Sequence, residues 1–221
     1  MLDAVRRRAR PYFADAQPAH DWRHVRRVEA LAETLVDRHR RSVGASPLEV
    51  DERVLTLAVL LHDIGRAKED RGEIDDHSTW GAREAERILE ELEAEPTVVD
   101  RVRHCVDAHR YSAAPEPGTL EAKLLSDADN LDALGAVGIA RVFSYGGEVG
   151  SPIHGLDVVP DDGSSPIEAD DGGSQYDHIH EKLLDLPDRM YTDVGRELAD
   201  ARASFVREYV TQFDAEIRGD R

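Results

Sequence analysis

Apolar residues recur at spacings of three and four along most of the chain, the period of helices with one buried face. From Asp21 to about Arg41, Val25, Val28, Leu31, Ala32, Leu35 and Val36 form one stripe. Ser46-Pro47-Leu48-Glu49 reads as a capping box with proline at the first helical position. It predicts a helix through Val50, Val54, Leu57, Ala58 and Leu61 that stops near Gly65. Further helices are predicted from about Thr79 to Ala94 (closed by Pro96), Thr97 to about His109, Leu120 to Phe143, and about Thr192 to Ile217. The one from Leu120 is apolar around much of its circumference, which places it at the centre. Ser144 to Gln175 has no helical period and holds seven glycines and three prolines. A loop that long within a compact domain is expected to be flexible and to serve as a lid. No run alternates as a strand should, and no internal repeat is present. The pattern predicts a single all-α domain over residues 1–221, a helical bundle with a loop insertion at 144–175.

Charge narrows the partners. Among 221 residues, 46 Asp and Glu stand against 28 Lys and Arg, a net charge of −18. That speaks against nucleic acid and anionic membrane, which need a basic surface. The longest aliphatic run, Leu57 to Leu61, is far short of the roughly 20 residues that cross a bilayer. The residues after Met1 show no signal-peptide pattern, and one cysteine, Cys105, fits a reducing cytoplasm. Lys68, Lys123 and Lys182 are the only lysines. Abundant acid with scarce lysine points to the cytoplasm of a salt-adapted prokaryote, where self-repulsion is screened.

The chemistry concentrates in histidines and aspartates. In Leu60-Leu61-His62-Asp63-Ile64-Gly65 an apolar helix runs straight into adjacent His and Asp. One metal at the helix end can take a nitrogen and an oxygen from the pair, although the pair could also satisfy itself at the terminus. Upstream lies His24 near the start of an amphipathic helix. Downstream, Asp127, Asp129 and Asp132 sit on the apolar central helix, with no Lys or Arg between Lys123 and Arg141. Buried carboxylates need a cationic partner, and a metal is the economical one here.

These motifs resemble the HD-domain superfamily of metal-dependent phosphohydrolases. His20-Asp21-Trp22-Arg23-His24, Leu61-His62-Asp63-Ile64-Gly65, Gly81-Ala82, Ala128-Asp129-Asn130-Leu131-Asp132-Ala133-Leu134-Gly135 and Glu181-Lys182-Leu183-Leu184 look like a branch of small prokaryotic HD hydrolases, one member of which cleaves nucleoside triphosphates to monophosphate and pyrophosphate. The resemblance implies metal ligands at His24, His62, Asp63 and Asp129, with Asp127 as the rival to Asp129. It implies one divalent ion, Mn²⁺ or Mg²⁺ first and Fe²⁺, Co²⁺, Ni²⁺ or Zn²⁺ after them. It also implies a phosphorylated small-molecule substrate, a nucleotide for preference.

Around that set, Asp63, or a neighbouring carboxylate, is expected to take a proton from the attacking water. Arg27 and Lys123 are expected to supply catalytic positive charge, and Arg23 to bind substrate, since phosphoryl transfer depends on charge stabilisation. His77 and His109 are read as hydrogen-bond donors to substrate phosphate, with a second metal as the alternative, and His20 as lining the pocket. His20 and His24 are spaced as in a zinc peptidase, but Asp21 is a methylene short of the required Glu. His39, His104, His154, His178, His180, Cys105, Trp22 and Trp80 are read as structural. Two rivals remain: a di-iron HD-fold oxygenase, which needs both His77 and His109 as ligands, and a non-catalytic module that senses a nucleotide.

Overall fold

The computed structural model describes residues 1–43, 50–110, 114–155 and 173–220. Among these residues there is no strand, and ten α-helices follow one another: α1 Leu2–Ala9, α2 Trp22–Val43, α3 Glu52–Leu61, α4 Arg66–Asp70, α5 His77–Glu91, α6 Pro96–Asp107, α7 Leu120–Asp132, α8 Gly135–Val149, α9 Gln175–Glu181 and α10 Asp193–Ile217. Short 3₁₀ turns cover Arg10–Phe13, Pro18–His20 and Leu183–Arg189. No described helix is long and apolar enough to cross a membrane.

α3 and α7 form the middle of the bundle. α2 packs on α7, α5 on α6, and α3 touches α2, α6 and α7. Every residue of α3 from Leu57 to Leu61 is buried, so α3 drives its C-terminal end into the interior. One apolar cluster runs from Val5 in α1 to Val210 in α10. Side-chain caps mark several starts: Asp51 accepts from Val54 N, Asp76 from Thr79 N, Thr119 from Ala122 N and Thr192 from Gly195 N. Each satisfies an amide that a helix N-terminus leaves without an internal partner.

Several boundaries correct the sequence pattern. Asp51 is the N-cap of α3, so the helix begins beyond Val50; the Ser46–Glu49 capping box lies outside the described residues. Pro96 opens α6 at its first turn instead of merely closing α5, a position that suits a residue without an N–H. The expected helix from Leu120 to Phe143 is two helices. The chain turns at Gly135, which takes φ +75°, a value costly for any residue with a side chain. Arg202 of α10 donates to the Leu131 carbonyl at the end of α7, which also accepts from Leu134 N. Ser144 to Val149, expected in the loop, is the last part of α8. The 156–172 stretch of that loop lies outside the described residues. α1 has no counterpart in the sequence reading; it is too short and too basic to show a clear period.

Candidate metal centre and the cleft beside it

α3 ends at Leu61, and His62 to Gly65 form a turn before α4. A side chain at Gly65 would meet the His77 carbonyl oxygen at 2.7 Å. Glycine there lets the start of α5 close onto the His62-Asp63 turn. α2 brings His24 to the same point, and α7 brings Asp129.

His24, His62 and Asp129 group together, and Asp63, which groups with His77 and His109, reaches the two histidines of the first set. His24 Nε2 lies 3.2 Å from His62 Nε2, 3.4 Å from Asp63 Oδ2 and 3.4 Å from Asp129 Oδ1. His62 Nε2 lies 3.6 Å from Asp63 Oδ2 and 4.0 Å from Asp129 Oδ1. Donors roughly 2.1 Å from a shared ion sit about 3.0 Å apart when adjacent on an octahedron and about 4.2 Å when opposite, so the spacing fits one divalent cation.

The hydrogen bonds on the far side of each ring strengthen this. His24 Nδ1 donates to Asp132 Oδ2 at 2.8 Å and His62 Nδ1 to the Val59 carbonyl at 2.8 Å. With both Nδ1 atoms committed as donors, the neutral rings turn two Nε2 lone pairs toward each other, which is repulsive unless a cation lies between. Without metal a proton fills that role. Burial pushes His24 down, but its bonds to Asp132 and Asp63 outweigh it and hold the ring protonated up to about 9.

Asp63 also serves a second group. Its Oδ1 is 3.3 Å from His77 Nε2 and 3.6 Å from His109 Nε2, and these two nitrogens are 3.3 Å apart. Their Nδ1 atoms are again anchored, on Glu69 Oε2 at 2.7 Å and the Val106 carbonyl at 2.6 Å. Asp63 therefore bridges two sets of donors. Burial would push its carboxyl up, but His62, His109, His24 and His77 hold it well below the usual carboxylate range.

Asp127 and Asp129 separate cleanly. Asp127 is fully buried and accepts from Tyr191 N at 2.7 Å, Thr192 N at 2.9 Å and Thr192 Oγ1 at 2.6 Å. It fastens the start of α10 and is taken out of contention as a ligand.

The expected cations fare differently. Arg27 does not face the donors: its guanidinium grips Asp132 at 2.7 and 3.0 Å, behind His24. Arg23 pairs with Asp21 at 2.8 Å and is 87% exposed, pointing into solvent. Lys123, six residues ahead of Asp129 on α7, lies about 9 Å back along the axis and about 120° around it. Among the described residues it makes no ion pair.

Beside His20, which was expected in the pocket, stand residues that sequence reasoning did not assign to the site. A cleft of about 390 Å³ beside the donors is lined by His20, Arg66, Arg141, His178 and Lys182. Arg141 donates to Asp132 Oδ2 at 2.8 Å and to His20 Nε2 at 3.1 Å, joining the cleft to the support of His24. Burial pushes His20 down to about 3, so the ring is neutral. Since its Nε2 accepts from Arg141, its Nδ1 carries the proton, and that buried atom has no partner among the described residues. His178, read as structural, lines this cleft. The signals were Arg66 directly after the His-Asp-Ile-Gly turn and Lys182 within Glu181-Lys182-Leu183-Leu184. Other histidine and tryptophan readings agree with the structure: His104 Nε2 accepts from Gly118 N at 2.9 Å, and Trp22 packs edge-on against Phe13.

An all-α bundle that carries a lone His, a His-Asp turn and a later Asp to one point defines a class of metal-centred hydrolases. The chain belongs to the HD-domain superfamily of phosphohydrolases: the HD domain family matches residues 21–134. It is 31% identical over 221 residues to the uncharacterized protein YpgQ of Bacillus subtilis, covering 98% of this chain and 94% of that one. The crystal structure of YpgQ in complex with ADP is similar with a TM-score of 0.72 and 30% identity, covering 99% of this chain and 95% of that chain. An HD-superfamily hydrolase from Bacillus thuringiensis is similar with a TM-score of 0.68 and 29% identity, covering 97% and 95% of the two chains.

Proposed function

We propose that this chain is a metal-dependent phosphohydrolase that cleaves a nucleoside triphosphate to the monophosphate and pyrophosphate. The observation that carries this reading is the junction of a four-donor cation centre with a cationic cleft. Asp129 is the one donor of the four with real exposure, 29% against 5% or less for the others, so substrate approaches on its side. There its charge reaches Lys182. That YpgQ was crystallised with ADP supports a nucleotide as the occupant.

His24, His62, Asp63 and Asp129 would hold the ion, and Mn²⁺ or Mg²⁺ suits their mix of imidazole and carboxylate. Such an ion supplies a bound water of lowered pKa and screens the phosphoryl charge. The remaining work falls to the chain. Lys182, Arg66 and Arg141 gather phosphate oxygens, and neutral His20 donates its Nδ1–H to one of them. Asp132, clamped by Arg27 and Arg141, keeps His24 in the tautomer that presents Nε2. His77 and His109 pass from the expected phosphate contact to a second cation position shared through Asp63.

The test is a nucleotide panel with Mn²⁺, on protein purified without chelator, with orthophosphate and pyrophosphate measured separately. Pyrophosphate and monophosphate are expected. Orthophosphate release alone, or no turnover of any nucleotide, would overturn the reading. The Asp63–His77–His109 group also suits a di-iron oxygenase, but the cluster of cations in the cleft favours a multiply charged substrate. Substrate-dependent oxygen uptake by iron-loaded protein would reverse that preference.

A further inference from the structure

The cleft changes character along α8. Gly138, Arg141, Val142, Tyr145, Gly146 and Val149 all line it, and their spacing of three and four puts them on one helix face. Arg141 stands at the end beside the metal centre. Tyr145 follows about 6 Å along the axis and Val149 about 12 Å along. These two are 45% and 56% exposed, although both are apolar enough to be expected inside. The other rings nearby, Phe143, Tyr176, Tyr209 and Phe213, pack on one another, and Tyr145 joins no ring pair among the described residues.

A second observation lies beside the first. Gln175 is only 5% exposed and packs its carboxamide against the α8 backbone at Gly146. Its Nε2 donates to the Ser151 carbonyl at 2.8 Å, which establishes the other atom as the oxygen. That oxygen is buried in the cleft wall with no hydrogen-bond partner among the described residues. A buried acceptor without a donor is destabilising unless a ligand completes it. The cleft therefore has an orphan donor, His20 Nδ1–H, at its cationic end and an orphan acceptor at its apolar end. A nucleotide has the matching polarity: anionic at one end, a flat ring bearing N–H groups at the other.

We propose that the far end of the cleft is a nucleobase subsite, where Tyr145 stacks on the base and Gln175 Oε1 accepts from its exocyclic amino group. The proposal deepens the nucleotide reading above and rests on it for the choice of ligand. Its test reads binding, so it is independent of turnover. In isothermal titration with Mn²⁺ present, ADP should bind about tenfold tighter than pyrophosphate, the order expected of one stacked base. That preference should fall to within about twofold in Tyr145→Ala and return in Tyr145→Phe, because the ring and not the hydroxyl carries it. Wild-type protein should favour ADP over IDP, which has an oxygen in place of the amino group, and Gln175→Met should lose that discrimination.

Equal binding of ADP and pyrophosphate in wild type, or an intact preference in folded Tyr145→Ala, would overturn the stacking site. Equal binding of ADP and IDP in wild type would overturn the role of Gln175. If base-dependent binding is found but no nucleotide is hydrolysed, the subsite stands and the hydrolase assignment fails. If nucleotides are hydrolysed without base dependence, the reverse holds.

Discussion

The two walls around the centre are finished differently. On the side of α2, α3 and α7, the groups that hold the donors are paired: His24 rests on Asp132, His62 on the Val59 carbonyl, and Asp132 on Arg27 and Arg141, although Ser126 Oγ and Asn130 Nδ2 of α7 are buried without partners among the described residues. On the side of α8 and α9, His20 Nδ1 and Gln175 Oε1 are buried without partners among the described residues, and Tyr145 and Val149 stand open to solvent. The first wall is preorganised and would hold its shape with or without a nucleotide. The second leaves donors, acceptors and apolar surface unmatched, which is the condition of a wall that a ligand completes. Substitutions on the two walls should therefore fail in different assays.

The largest effect is expected at the bridge. Asp63→Asn should lower kcat by about a thousandfold or more, since it removes a charge shared by both donor groups. The fold should persist by circular dichroism, and metal content by mass spectrometry should fall. Next come the residues that divide the walls. Arg141→Ala loosens both His24 support and the cleft, so it should weaken metal binding by roughly 10–100-fold and raise KM as well. Lys182→Met should raise KM alone. A metal titration beside steady-state kinetics separates the two.

The pH dependence follows from His24. Its folded value, about 9, lies above the ordinary 6.5, so in the metal-free protein its stabilisation is complete below 6.5 and is lost as pH rises through 9. Metal binding must expel that proton. Apparent affinity should therefore climb by up to about tenfold per pH unit and level off near pH 9; a flat profile from 7 to 9 would break the assignment. The contrast along α7 is smaller in energy but sharper in kind. Asp127→Asn should lower stability by roughly 2 kcal/mol, measured by thermal melting, because it weakens the bonds that start α10. It should leave metal content unchanged, whereas Asp129→Asn should do the opposite.

The smallest effect concerns salt. We propose that the −18 net charge reflects salt adaptation, so the melting temperature should rise steadily from low to molar KCl as repulsions are screened. A flat series would reject this.

The candidate donor cluster was legible because metal coordination restricts residue type. Few side chains can ligate, and His24, His62, Asp63 and Asp129 stood in an order that helices of a bundle can bring together. Even the choice of Asp129 over Asp127 could be made by motif, although the reason for it, the capture of Asp127 by Thr192, is a contact across 65 positions. The cations were not legible. Which arginines line a cleft depends on how the helices pack, so Arg27 and Arg23 looked as suitable as Arg66 and Arg141, which line it while also pairing with carboxylates. Helix periodicity likewise ran through Gly135, since a stripe of apolar residues does not reveal where the backbone turns.

By itself, then, the order of residues determined the all-α class, the central place of the helix that begins at Leu120, and which histidines and aspartates meet at the candidate metal centre. Each of these depends on side-chain type and local spacing. Tertiary structure alone decided that Asp63 bridges two donor groups, that Arg27 stands behind His24, and that α8 lays Arg141 and Tyr145 along one cleft. These depend on which surfaces meet when helices pack, and packing brings together groups whose separation along the chain carries no record of the contact.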